Sequence, residues 1–198
     1  VFGNITQKTT TVPGGAQRTV SMAYDPTGRF ATSATDAEGM VSTAVYDQTT
    51  GSKQNATNPF SQTESYLHDA WGRLITTTDY LNKNSYRSYH RDGYNIVITD
   101  TDDEGHSLIS ISNPLGQTLE TKEKNILGQF IGKAKRFDLY GREVANSQPA
   151  QVGNYTQWNT TEYDEYGRIK QTVNFTGKVT NLAYNRLSLT VNDGIKSV

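Results

Sequence analysis

The stretch from Ala23 to Met40 reads AYDPTGRFATSATDAEGM. It holds Asp25-Pro-Thr-Gly28-Arg29 and, eleven residues on, Asp36-Ala-Glu-Gly39-Met40. Asp-x-x-Gly serves either as a loop for a ligand or as a corner of the chain. An aspartate that opens a type I turn accepts hydrogen bonds from backbone N–H groups two or more residues on. A glycine in fourth place takes positive φ without a Cβ penalty and supplies the bulge that matches the twist of paired strands. Pro26 brings the fixed φ that the second position needs. The stretch is a complete hairpin prescription and requires no ligand.

Working outward, the same unit recurs. Asp25, Asp36, Asp47, Asn58 and Asp69 follow at steps of eleven, and strong members alternate with weak ones: Tyr24-Asp25, Tyr46-Asp47 and His68-Asp69 lie twenty-two apart. Such a period is read before any other motif. Further copies are Asn113-Pro-Leu-Gly116-Gln117, Phe137-Asp138-Leu-Tyr-Gly141-Arg142 and Tyr163-Asp164-Glu-Tyr-Gly167-Arg168, with a truncated echo at Tyr184-Asn185. Between the turns the chain alternates: Val41, Thr43 and Val45 against Ser42, Ala44 and Tyr46; Tyr94, Ile96 and Ile98 against Asn95, Val97 and Thr99. A period of two marks a strand with two different faces. No segment sustains a capped helical period.

The expected fold is all-β: consecutive antiparallel β-hairpins on a curved or spiral sheet, with residues 1–198 as a single repeat region. Asp92-Gly93, Asp193-Gly194 and Pro13-Gly14-Gly15 predict tight connections, and 146–158 a longer loop. The tyrosine before each aspartate and the arginine after each glycine are expected beside one turn, the guanidinium stacking on the ring or bonding a nearby carbonyl. Val1-Phe2-Gly3-Asn4-Ile5 reads as the tail of one more copy in a piece of a longer protein.

Composition agrees. Hydrophobic residues make up only 34%, too few for a thick core, yet the chain is rich in the Thr, Val, Ile and Tyr that suit strands. A net charge of −1 without a basic run argues against nucleic-acid binding. The absence of cysteine excludes disulfides and thiolate chemistry.

Tyr-Asp-x-x-Gly-Arg, complete at Tyr24–Arg29 and Tyr163–Arg168 and varied at His68–Arg73 and Phe137–Arg142, resembles the YD repeats of Rhs proteins. The resemblance covers nearly the whole chain. It implies a spiralling ribbon of hairpins, which in bacterial Rhs proteins and in the B/C components of Tc toxins closes into a shell around a toxic C-terminal domain; in teneurins it forms a cell-surface barrel. For this chain it implies a structural role in a secreted or surface-associated bacterial protein. The partners would be the remaining repeats and a C-terminal cargo domain, with self-association through open sheet edges. The repeat-motif residues are then Tyr24, Asp25, Gly28, Arg29, Asp36, Gly39, Asp69, Gly72, Arg73, Asp138, Gly141, Arg142, Tyr163, Asp164, Gly167 and Arg168. Asp25-Pro26-Thr27-Gly28 matches the Asp-Pro-x-Gly letters of the family's self-cleaving segment, but it lies in an ordinary repeat and receives no protease role. The alternative is a cell-surface adhesin or carbohydrate-binding module, drawing on twelve tyrosines with Trp71 and Trp158.

Chemistry-bearing patterns are sparse. Asp100, Asp102, Glu104 and Gly105 match positions 1, 3, 5 and 6 of a calcium loop, but Ile111 stands at position 12, where a bidentate glutamate is needed. The bland reading, an acidic turn, is preferred. His68, His90 and His106 show no metal-ligand spacing. No nucleophile, base and orienting group can be named together, so neither enzymatic activity nor a cofactor is expected. Five Asn-x-Ser/Thr sequons, at Asn4, Asn55, Asn154, Asn159 and Asn174, are what a Thr-rich chain produces by chance.

Overall fold

A computed structural model describes residues 3–11 and 13–194. Val1 and Phe2, part of the N-terminal copy inferred above, lie outside the described residues. Among those described the chain is all-β, with 18 strands and no helix. It divides into two compact units: residues 1–87 with 102–104, and residues 88–101 with 105–198.

In the first unit β1 (Gln7–Thr11), β2 (Gln17–Tyr24), β3 (Ala31–Thr35), β4 (Val41–Tyr46), β5 (Lys53–Thr57), β6 (Thr63–His68), β7 (Leu74–Thr78) and β8 (Asn84–Asp92, entering at its first half) each pair antiparallel with the next. The second unit runs through β9 (Asn95–Asp102), β10 (Ser107–Ser112), β11 (Thr118–Lys124), β12 (Phe130–Phe137), β13 (Glu143–Ser147), β14 (Ala150–Gln151), β15 (Trp158–Tyr163), β16 (Ile169–Val173), β17 (Val179–Asn185) and β18 (Ser188–Asn192). Here β12 splits its pairing: Lys135 and Arg136 face β13, whereas Ile131 and Gly132 face β14. Strand β13 then pairs directly with β15.

Successive turns of an antiparallel ribbon fall on alternate margins, which explains the alternation of strong and weak copies. Turns opening at Asp25, Asp47 and Asp69 share one margin of the first unit; those at Asn113, Asp138, Asp164 and Asn185 share one margin of the second. On this tyrosine margin of each unit the register slips by one residue, beside Tyr24, Tyr46 and His68 in the first and beside Ser112, Phe137 and Tyr163 in the second. Hairpins closed at Asp36, Asn58, Asp79, Asn125 and Asn174 on the opposite margin keep an unbroken register. A bulge bends its strand and increases the local right-handed twist, so each of these slips marks a local bend on the tyrosine margin of its unit.

Each unit is a sheet with almost no core. Among the described residues only Ala145 is a buried apolar side chain, and Asp25 and Ser147 are the buried polar ones. In β4 it is Ser42, Ala44 and Tyr46 that are half-buried, while Val41 and Val45 face solvent. Cohesion therefore comes from the backbone ladder and cross-strand pairs such as Thr57 with Thr63, hydroxyls 2.8 Å apart.

Two expectations change. The segment 146–158 is not one loop: Asn146 and Ser147 continue β13, Trp158 opens β15, and Ala150–Gln151 pair with β12. Backbone groups left open on the first half of β12 are satisfied that way. Three further turns complete the comb, Asp79-Tyr-Leu-Asn82, Asn125-Ile-Leu-Gly128 and Asn174-Phe-Thr-Gly177, each closed by the bonds of the recognised copies. They stand ten or twelve residues after their neighbours, off the eleven-residue spacing.

Candidate functional site

The repeat motif builds the most regular side-chain constellation in the chain. In the turn at Asp164, the Gly167 N–H donates to the Asp164 carbonyl (3.0 Å) and the Asp164 N–H to the Arg168 carbonyl (2.8 Å). The carboxylate Oδ1 accepts from the N–H groups of Tyr166 and Arg168, and Oδ2 accepts from Arg168 Nε at 2.7 Å. Asp69 with Arg73 and Asp138 with Arg142 repeat this arrangement. The arginine thus folds back on its own aspartate, a contact the sequence reading did not foresee. Asn58 and Asn113 replace the ion pair with a neutral one, donating from Nδ2 to Gln62 and Gln117.

The tyrosine does not stack on the arginine of its own copy. Arg142 lies over Tyr140 in its own turn (5.0 Å) and over Tyr163 of the next tyrosine-margin turn (4.4 Å). Arg168 does the same with Tyr166 (5.0 Å) and Tyr184 (4.3 Å). The hydroxyls of Tyr163 and Tyr184 then donate to the carbonyls of Glu143 and Ile169, the residues just after those arginines. Each guanidinium is clamped between two rings and ties one turn to the next along the margin. Elsewhere the post-glycine side chain makes the same reach: Asn4 donates to the Gly28 carbonyl, Arg29 to that of Gln48, and Gln117 to that of Gly141. Asp25 is the variant. Its turn closes on Phe30 instead of Arg29, its carboxylate accepts from Thr27, Arg29 and Phe30, and Phe30 stacks on Tyr46 at 5.0 Å.

This reach gives the margin glycines a second duty. A Cβ on Gly51 would meet the Phe30 ring at 3.2 Å, whereas one on Gly39, on the opposite margin, meets nothing within 4 Å. Both have positive φ, which asparagine tolerates, and Ser61 and Asn82 already hold such positions on the opposite margin. Gly39→Asn should therefore cost less than about 1 kcal/mol. Gly51→Asn, which disturbs the Phe30–Tyr46 stack, should cost about 1–2 kcal/mol more in urea unfolding.

Titration follows the same geometry. Asp25 is held below the usual carboxylate range chiefly by Thr27 and Phe30. In Asp69, Asp138 and Asp164 burial pushes upward but is outweighed by the N–H groups and guanidinium of the turn. Groups depressed in the folded state stabilise it above their unfolded value, about 3.9 for Asp, and lose that contribution as pH falls through the folded values. Tyr66 is pushed up to about 12 by its hydrogen bond to Glu64, then by burial. Tyr155 is raised by burial and by Glu120. Their contribution is intact below the ordinary tyrosine value of about 10 and is lost as pH rises through the raised values. Circular dichroism should show a stability plateau between roughly pH 5 and 9 with losses on both sides, and Asp164→Asn should weaken the acid limb.

A second constellation, unmarked in the sequence reading, lies in the second unit. The Tyr155 hydroxyl donates to Glu120 at 2.5 Å, and the Trp158 indole N–H donates to the Tyr155 carbonyl at 2.8 Å. Arg136 covers Trp158 at 4.2 Å. The Tyr155 hydroxyl sits directly over Gly132, the one glycine of 17 without positive φ. Ser147 Oγ accepts from the Ala134 N–H, where β12 changes partner.

The remaining candidates do not assemble. Asp100 and Asp102 lie on β9, while Glu104 pairs with Lys83 at 3.4 Å. Among the described residues no group of three or more acidic or imidazole side chains is gathered to hold a metal. An open groove of about 370 Å³ across β3–β6 is floored by Ala34, Ser42, Ala44 and Ala56, and its one carboxylate, Glu64, accepts from Tyr66. Tyr80, Tyr94, Tyr140 and Tyr166 sit inside turns, Tyr94 just ahead of β9 and not on the strand that its alternation with Ile96 and Ile98 suggested. No helix among the described residues is long and apolar enough to cross a membrane.

No family model matches the chain, and no curated protein matches it by sequence. Solved structures do. TcdB2-TccC3 superposes with a TM-score of 0.70 at 12% identity over 89% of this chain, and TcdB2-TccC3-Cdc42 with 0.69 at 9% identity over 94%. The Photorhabdus luminescens Tc holotoxin pore gives 0.51 at 13% identity over 98%. The chain spans only 12%, 17% and 13% of those chains, respectively. The chain has the hairpin-ribbon fold of these Tc toxin structures.

Proposed function

We propose that the chain is a structural wall segment of a secreted bacterial Rhs-type protein, part of a β-shell that encloses or delivers a toxic domain. The observation that carries this is the arginine–tyrosine margin. In the second unit it couples the turns at Asp138, Asp164 and Asn185 in series, the construction a continuous wall needs and a discrete binding site does not. A sheet almost without core leaves one face for cargo and one for solvent. Its partners would be the neighbouring repeats, joining at the outer edges of β1 and β18, and the cargo domain. The proposal assigns no enzymatic activity and no cofactor. Limited proteolysis of the full-length protein tests it. Cargo should be protected in the native protein and cut faster when Arg142→Ala with Tyr163→Ala opens the wall; equal cutting of the two would contradict the reading.

A second reading, a carbohydrate-binding surface module, draws on Trp71, 80% exposed with Arg73 behind its ring at 4.9 Å. A glycan array separates the readings, since a purely structural wall binds no glycan saturably.

A further inference from the structure

Strands β12 and β13 share a short ladder, Lys135 with Asn146, Arg136 with Ala145 and Phe137 with Glu143, because β12 gives its first half to β14. On one face of that ladder stands a polar chain that is more than an ion pair. The Lys135 ammonium donates to Glu143 Oε2 at 2.8 Å, and Asn146 Nδ2 donates to Glu143 Oε1 at 2.8 Å. One carboxylate thus bridges an amine and a carboxamide that lie directly opposite each other across the strands. Such opposed residues have Cβ atoms about 4.5–5.5 Å apart, a gap that a lysine side chain spans. From β15, Asn159 Nδ2 donates to Asn146 Oδ1 at 2.8 Å, and the Phe175 N–H holds Asn159 through its Oδ1 at 3.0 Å.

Every member of this chain has a role in one reaction. Deprotonated Lys135 Nζ is a nucleophile, and Asn146 Cγ is an electrophile whose carbonyl Asn159 polarises. Glu143 touches both the group that must lose a proton and the nitrogen that must gain one. We infer that Lys135 and Asn146 join in an intramolecular amide cross-link, with Glu143 as the proton shuttle. Nζ passes a proton to Glu143 and attacks Cγ. The Nζ–Cγ bond forms, the Cγ–Nδ2 bond breaks, and a second Nζ proton reaches Nδ2 through the same carboxyl group. A lysine ammonium and a carboxamide become a secondary amide and an ammonium ion, Glu143 ends ionised as it began, and no oxidant or reductant is consumed.

Closure is slow. Ordinary values of about 10.4 for Lys and 4.3 for Glu leave roughly one pair in 10⁶ as amine and acid. Lys135 first, and then Asn146, hold the Glu143 carboxyl below its usual range, which makes the acid form rarer still. Effective molarities of about 10⁵–10⁸ M for aligned groups offset a scarcity of that order. In a chain without cysteine, the bond staples a strand pair whose ladder is cut short. This goes beyond the wall reading and does not rest on it.

Intact-mass spectrometry of the purified chain, followed over days of incubation, tests the inference. The mass should fall by one ammonia, about 17 Da, and a tryptic digest should contain a branched peptide joining Lys135 to Asn146. Lys135→Arg keeps the ion pair and should abolish both signals. Glu143→Gln should slow the reaction about a hundred-fold, with unchanged far-ultraviolet circular dichroism. An unchanged mass in the original chain overturns the inference and leaves an ordinary ion pair. Loss of ammonia that persists in Lys135→Arg also overturns it, since an asparagine succinimide sheds ammonia without a lysine. Equal rates with and without the Glu143 carboxylate would remove the shuttle.

Discussion

Gly132→Ala lowers the stability of the second unit by about 2–3 kcal/mol, an expected loss of roughly 5–10 °C in melting temperature. A Cβ there would stand 2.5 Å from the Tyr155 hydroxyl, 2.7 Å from the Thr121 carbonyl oxygen and 3.1 Å from Lys122 Cβ. The tyrosine can move, but Thr121 belongs to the backbone of β11, fixed by pairing with β12, and cannot give way without breaking the ladder. Alanine elsewhere in a strand would gain up to about 1 kcal/mol over glycine, so the sign itself is diagnostic. Tyr155→Phe removes one clash and should restore part of the loss, not all. Urea unfolding of the two single variants and the double variant measures this directly.

Arg142→Ala is the second large effect, at about 2–3 kcal/mol. The guanidinium holds Asp138 through Nε and Nη2, both at 2.7 Å, and fills the space between Tyr140 and Tyr163. Two ring contacts at about 0.5–1 kcal/mol each and a charge-assisted pair, in which Nε and Nη2 share the one oxygen Oδ2, add up to that range. Arg142→Lys should recover less than half, because an ammonium group cannot lie flat between two rings while bonding through two nitrogens. The change at Asp138 should be felt at the Asp164 turn as well, visible as faster amide exchange at Gly167, since Tyr163 loses its support.

How much of this was legible before the structure follows from where the information lies. The turns at Asp25, Asp138 and Asp164 could be read outright, because an acceptor, a positive-φ position and a closing pair sit within five residues. The turns at Asp79, Asn125 and Asn174 escaped because strand length varies: β11 has seven residues where β7 has five, which moves the comb by a residue or two. The alternation of strong and weak copies was visible as a twenty-two-residue spacing, but its cause needs the sheet, where every second turn returns to one margin. The partner of each tyrosine was misplaced for the same reason: Arg142 and Tyr163 are twenty-one residues apart in the chain and neighbours only through the β13–β15 pairing. Gly132 carried a signal that went unused, an isolated glycine inside a strand pattern between Ile131 and Lys133, which marks a close approach.

The central claim is that Arg142, besides its own turn, is coupled to the tyrosine of the following copy and not to Phe137, the aromatic residue that precedes its own aspartate. A double-mutant cycle in urea unfolding with Arg142→Ala and Tyr163→Leu tests it most directly. The account predicts a coupling of about 1 kcal/mol for that pair and additivity, within about 0.5 kcal/mol, for Arg142→Ala with Phe137→Leu. Additive losses for Arg142 and Tyr163, with coupling to Phe137 instead, would contradict it.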